Sequence, residues 1–192
     1  DIGAVVRLAP IKDVKTMIYA FFELHERMPK VRLHIMGGVD DEEYGAECHA
    51  LVETLGVRDL IFTGRVNVVE YMEKLDFTIL TSISEGQPLS VLESLGARRP
   101  CVTTEVGCCR ELLEGAPGDD FGVAGFVSPP MYRKGLADAM ERMCASRARR
   151  LEMGERGQRR VATYYLHEQM LANYRALYDE TARAFNLPKK EV

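Results

Sequence analysis

Short apolar runs alternate along the chain with longer stretches in which apolar residues recur every three or four positions. This alternation predicts strands separated by amphipathic helices. Residues 2–8 (IGAVVRL) predict a buried strand. Residues 11–28 place Val14, Met17, Ile18, Phe21 and Phe22 at helical spacing, and Pro29 closes that segment. A second strand over 31–36 ends at Gly37-Gly38. The acidic run 40–43 opens a helix that reaches Leu55 and stops at Gly56. Carboxylates in a first turn suit the positive end of the helix dipole, so that cluster is read as helix-opening. Further strands are predicted over 60–63, 77–80, 101–104 and 125–127, with short helices over 68–74, 88–97 and 109–113. From Tyr132 onward the pattern is helical, in pieces over 132–145, 149–165 and 168–185. Strands joined through helices pair in parallel with right-handed crossovers. The predicted class is therefore α/β: a doubly wound, Rossmann-like parallel sheet of about six strands with helices on both faces. No repeat or linker-like tract divides the chain, and the run 115–122 (GAPGDDFG) is read as an internal loop, so residues 1–192 are expected to form one domain.

Composition narrows the function classes. Apolar residues make up 46% of the 192 positions, enough for a core. The 25 Lys and Arg against 29 Asp and Glu leave a net charge of −4, with none of the basic excess of a nucleic-acid-binding domain. No apolar run approaches the ~18 residues of a membrane span, so direct membrane insertion is not expected. The chain begins without Met or a signal-peptide pattern, just before its first strand. Cys48, Cys101, Cys108, Cys109 and Cys144 are odd in number and without paired spacing, which argues against a disulfide framework and for a reducing, cytoplasmic setting. None of His25, His34, His49 and His167 stands in a zinc spacing. Cys48-His49 reads as a helix interior with a buried Cys rather than a chelator, and no metal is expected.

In an open α/β sheet a ligand lies outside the carboxyl ends of the strands, which directs attention to the loops there. The turn after the first strand, Leu8-Ala9-Pro10-Ile11-Lys12-Asp13, contains no glycine. A nicotinamide-type dinucleotide fingerprint is therefore absent, as is a phosphate-binding Walker loop. The loop after the fourth strand is richer. Pro88 is read as the first helical residue, where its missing N–H costs nothing. The N–H groups near Gly86, Gln87 and Leu89 then face the crevice at a helix end that favours anions. Gly86 permits close approach of a ligand to the backbone. Glu93, five residues past Pro88, falls about 7.5 Å along the helix axis at 1.5 Å per residue, in reach of a sugar attached to a diphosphate at the tip. Glu85 sits outside the tip. Arg7, at the end of an apolar strand, and Lys12, just past the turn, supply two cations to the same mouth.

This constellation resembles the donor-binding, carboxy-terminal half of family 4 retaining glycosyltransferases of the GT-B fold. The resemblance covers nearly the whole chain. It rests on Glu85 and Glu93 within EGQPLSVLE (a Glu-x7-Glu spacing), on Arg7 and Lys12 within VVRLAPIKD, on Phe62-Thr63-Gly64, and on the run from Pro100 to Gly107. The phrases VVRLAPIKDVKT, TSISEGQPLSVLE and PCVTTEVGCCRELLEG are similar to the cytosolic transferases of Pel exopolysaccharide synthesis. Where the wider family has Lys-Gly and an aromatic-glycine pair, this chain has Lys12-Asp13 and Gln87-Pro88; Cys108-Cys109 replaces an expected glycine and its neighbour.

The resemblance implies that Arg7 and Lys12 hold a diphosphate, with Glu93 on the ribose. It places Glu85 and the backbone from Gly86 through Gln87 and Pro88 to Leu89 on the donor hexose. Gly64 and Arg65 would frame the base, and Gly37 and Gly38 the crevice floor. It further implies a UDP-sugar donor of the UDP-glucose kind, hexosyl transfer with retention, and no metal or other cofactor. An amino-terminal acceptor domain outside this chain is implied too, without which the chain alone transfers nothing. Other polysaccharide synthase subunits are possible partners. The apolar residues of the last helices (Leu166, Met170, Leu171, Tyr174, Leu177) either reach a partner, including a second copy in a homodimer, or pack on this domain. Two other readings use the same mouth: a non-catalytic nucleotide-binding assembly or sensor module, and a nucleotide-sugar epimerase-like half-domain.

Overall fold

The computed structural model describes residues 1–185. One sheet of six parallel strands forms the centre: β1 (Ile2–Val5), β2 (Leu33–Met36), β3 (Leu60–Gly64), β4 (Phe77–Leu80), β5 (Cys101–Thr104) and β6 (Gly125–Ser128). Their order across the sheet is β3-β2-β1-β4-β5-β6. The crossovers are α1 (Val14–Arg27), α2 (Glu42–Leu55), α3 (Val68–Met72), α4 (Leu89–Gly96) and α5 (Cys109–Glu114), followed by α6 (Arg133–Cys144), α7 (Arg147–Tyr164) and α8 (His167–Ala184). This is the doubly wound class predicted from the alternation.

The central strands read as unbroken apolar runs because both of their faces are covered. Ile2, Ala4, Leu33, Ile35, Phe77 and Ile79 point to one face. There they meet Val14, Ile18 and Phe21 of α1, Cys48 of α2, and Leu136 and Met140 of α6. Leu80 and Cys101 point to the other, against Val91 and Leu95 of α4 and Leu112 and Leu113 of α5. Cys48 is fully buried in α2, in keeping with its reading as a core residue. Asp41 caps α2 by accepting the Tyr44 N–H at 2.9 Å, with Glu42 and Glu43 in the first turn and Gly56 left-handed at the end.

The largest boundary shifts fall at the first strand and the first helix. The first strand stops at Val5 rather than running to residue 8, because its continuous pairing ends there. β4 pairs only Ile2 and Gly3, and the ladder with β2 closes at Val5 and Met36. Beyond Val5 the backbone continues as single contacts, Val6 N–H to Met36 C=O at 2.9 Å and Leu8 N–H to Gly38 C=O at 2.9 Å. The first helix begins at Val14 rather than residue 11. Residues Pro10–Lys12 form a 3-10 turn, and Asp13 is left-handed (φ 46°), its carboxylate accepting the Thr16 N–H at 3.4 Å as cap.

One structural residue was hidden in the sequence. Arg160, on α7, is 1% exposed. Its guanidinium donates to Asp119 at 2.5 and 3.1 Å and to the carbonyls of Leu112, Leu113 and Gly122. The loop 115–122 is thus tied to the domain by a buried, fully hydrogen-bonded ion pair, which holds it inside the domain. At the other extreme, no residue of α8 is buried. Leu166, Met170, Leu171, Tyr174 and Leu177 are between 38% and 55% exposed, so of the two expectations for this segment the structure shows the uncovered one. No helix among the described residues is long and apolar enough to cross a membrane.

Candidate functional site

The strand order reverses direction between β1 and β4, and the loops leaving their carboxyl ends diverge there. Between them lies a cavity of about 620 Å³, within the size range of small-molecule sites. Arg7 and Lys12 line one side and Glu85, Gln87, Pro88 and Leu89 the other. Gly37 and Arg65 line it from the loops after β2 and β3, and Val5, Met36, Val66 and Val68 give it an apolar wall.

Backbone bonds bring the two principal loops together. Thr81, just past β4, donates its hydroxyl to the carbonyls of Lys12 (2.9 Å) and Asp13 (3.1 Å), and the Ile83 N–H reaches the Ile11 carbonyl at 2.9 Å. That clamp sets Lys12 beside Glu85: Nζ donates to Oε1 at 2.6 Å, and Ser82 Oγ donates to the same oxygen at 2.7 Å. These two charged side chains are only 19% and 14% exposed, so the ammonium is held at the cavity wall instead of sweeping through solvent. Arg7 is different. Its side chain is 64% exposed and pairs with Asp40 from the loop after β2.

At the start of α4 the structure corrects one detail. Pro88 is not the first helical residue but the cap before it, with extended backbone (φ −72°, ψ 113°). Its carbonyl accepts from the N–H groups of Val91 (3.1 Å) and Leu92 (3.4 Å). The N–H groups of Leu89 and Ser90 have no acceptor among the described residues, and both residues line the cavity. Gly86 faces open space where a side chain would project. Its carbonyl accepts the Cys108 N–H at 3.0 Å. Beneath it lies Gly107, left-handed (φ 51°), whose missing Cβ would collide with the carbonyl oxygens of Glu85 and Gly86. The turn after β5 therefore supports the loop after β4. Cys108, hydrogen-bonded to the Gln87 side chain, has its thiol pKa raised by burial and by nearby Glu111, so it stays a protonated thiol at neutral pH.

Gly38, Gly64, Gly86 and Glu93 lie around this cavity without lining it, while Gly37 forms part of its wall. Gly38 sits against the Arg65 side chain. Gly64 (φ 66°) accepts the Gly37 N–H at 2.9 Å from behind the wall. Gly37 has room only for hydrogen, since a Cβ there would lie on the Val6 carbonyl. Glu93 is exposed and faces an adjoining hollow between α4 and α8. That hollow shares Gln87 and Leu89 with the cavity, so the two meet along the first turn of α4. Asp40 and Ser82 were not singled out in the sequence. Asp40 stands in the acidic run read as helix-opening, and no local pattern separates it from Asp41, which does cap the helix.

Residues 1–146 match the family model of glycosyl transferases group 1. N-acetyl-alpha-D-glucosaminyl L-malate synthase from Bacillus anthracis is 25% identical over 175 residues, which are 90% of this chain and 43% of that protein. The O-antigen biosynthesis glycosyltransferase WbnH from Escherichia coli is 34% identical over 90 residues, 46% of this chain and 25% of its own length. The chain thus spans less than half the length of these curated relatives. Anabaena HepE in complex with UDP and glucose superposes with a TM-score of 0.80 at 21% identity, over 91% of this chain and 47% of its own. The carboxy-terminal domain of the group 1 family protein LpcC from Francisella tularensis does so with a TM-score of 0.75 at 20% identity, over 86% of each chain. With three quarters of its length under the family model, this chain belongs to the glycosyl transferases group 1.

Proposed function

We propose that this chain is the donor-binding domain of a retaining hexosyltransferase whose donor is a UDP-sugar of the UDP-glucose kind. The observation that carries the reading is the cavity at the switch point, lined by Lys12, Arg7 and by Leu89 and Ser90, whose N–H groups have no acceptor among the described residues. A departing nucleoside diphosphate concentrates negative charge, and fixed cations plus a helix start stabilise that charge without a metal. In this reading Arg7 and Lys12 hold the diphosphate. Glu85 and the backbone from Gly86 to Leu89 face the hexose, and Arg65 with the apolar wall faces the base. Glu93, one turn along α4 from Leu89, receives the ribose. The fold it shares with HepE bound to UDP and glucose supports the donor class.

The similarity of VVRLAPIKDVKT and TSISEGQPLSVLE to PelF-type transferases supports a role in bacterial exopolysaccharide synthesis of the Pel kind, in the cytoplasm beside other synthase subunits. The acceptor is supplied by an amino-terminal domain beyond this chain, which also closes over the donor and excludes water. The chain alone therefore binds donor and transfers nothing.

Calorimetry with UDP tests the reading. Lys12→Ala and Glu93→Ala should each weaken binding by more than about 1 kcal/mol, as befits hydrogen bonds to charged groups. Unchanged affinity in both variants would remove the assignment.

A further inference from the structure

The two cations of the mouth are held in unlike ways. Lys12 is mostly buried against Glu85, which Ser82 fixes in turn, so that pair is part of the wall. Arg7 is 64% exposed, and its one carboxylate partner among the described residues is Asp40. Asp40 is not free to follow it. The N–H groups of Asp40 and Asp41 both donate to the Leu8 carbonyl, at 3.1 and 3.2 Å, and the Leu8 N–H returns to Gly38 at 2.9 Å. Leu8 and Val39 also form a parallel bridge. The loop after β2 is therefore laced to the residue next to Arg7, with the Asp40 carboxylate parked on the guanidinium. Arg65, whose side chain lies against Gly38, has no carboxylate within 4 Å among the described residues, so of the two arginines lining the cavity Arg7 alone carries such a partner.

We infer that Asp40 is a positioning residue: a fixed counter-ion that holds Arg7 at the rim of the cavity and that a diphosphate must displace to engage the guanidinium. The inference rests on the donor reading above. It adds that Arg7 moves between two anions while Lys12 stays in place, and that Asp40 lowers affinity for the diphosphate. An exposed ion pair is weak, so the exchange is inexpensive and reversible.

Calorimetry on the protein carrying this chain, with UDP and with inorganic pyrophosphate, tests it. Asp40→Asn should tighten both ligands by about two- to fivefold, the range spanned by an exposed ion pair. In the Arg7→Ala background the same change should do nothing. An Asp40→Asn variant that binds no tighter, or an effect that persists undiminished without Arg7, would overturn the inference. Asp40→Ser repeats the test with a different side chain. The Nε–Hε nuclear magnetic resonance signal of Arg7 reads the pair without any nucleotide. It should shift on Asp40→Asn, and an unmoved signal overturns the pairing whatever UDP does. Absence of UDP binding to the unaltered protein, with the Arg7 signal shifting on Asp40→Asn, would instead count against the donor reading and leave Asp40 as the partner of Arg7 only.

Discussion

Gly107 does not line the cavity, yet its bare α-carbon lies under the carbonyls of Glu85 and Gly86. Gly107→Ala forces a side chain into the left-handed region and against that backbone, at a cost of about 1–3 kcal/mol. It should lower UDP affinity more than a surface change of equal stability cost, as titration beside urea unfolding would show. Arg160 and Asp119 act on stability instead. Removing one partner of a buried pair strands the other charge, so Asp119→Asn should destabilise the domain at neutral pH by about 3 kcal/mol or more. The Arg160 hydrogen bond holds the Asp119 carboxyl below its usual range. A carboxyl depressed in the folded state contributes stability above its ordinary value near 4, and loses it as pH falls through the folded one. Unfolding measured from pH 5 down to pH 2 should thus fall less steeply for Asp119→Asn than for the unaltered protein. At this scale the sequence was uneven. Lys12 and Glu85 could be read from their places beside two turns. Arg160 could not, because a charge on an amphipathic helix looks solvent-facing until the carbonyls around it are known.

Among the elements, every predicted strand and helix is present, with boundaries displaced by a few residues. The displacements have local causes: β1 shortens where its continuous pairing ends, and α1 waits for the left-handed cap at Asp13. Neither cause is visible in hydrophobic pattern, which reports burial but not pairing length. Pattern did identify α8 as apolar on one side without saying what that side meets. Since no α8 residue is buried, Leu171→Ser with Leu177→Ser should change the melting temperature by no more than a typical surface substitution, within about 0.5 kcal/mol of stability. A large loss in a thermal scan would mean that the helix packs on the domain after all.

For the molecule as a whole, the order β3-β2-β1-β4-β5-β6 fixes where a ligand can enter, and the alternation of runs was enough to infer the class. What pattern could not supply was the separate placement of Glu93, which depends on the rotation of α4 relative to its neighbours. The shared length of less than half the curated relatives sets a further expectation. On the proposed reading, a donor turnover assay on this chain should show binding without sugar release, and adding the proposed amino-terminal domain should restore transfer.

The clamp of Thr81 and Ile83 onto Ile11, Lys12 and Asp13 also has a bearing on how the protein matures. Lys12 and Glu85 are 73 positions apart, so no local segment can assemble their pairing. It must wait until the fourth strand has docked beside the first, a non-local event of the kind that folds slowly. Nascent or half-collapsed chains accordingly lack the proposed donor site, and a donor bound there would stabilise only those in which β4 has docked beside β1.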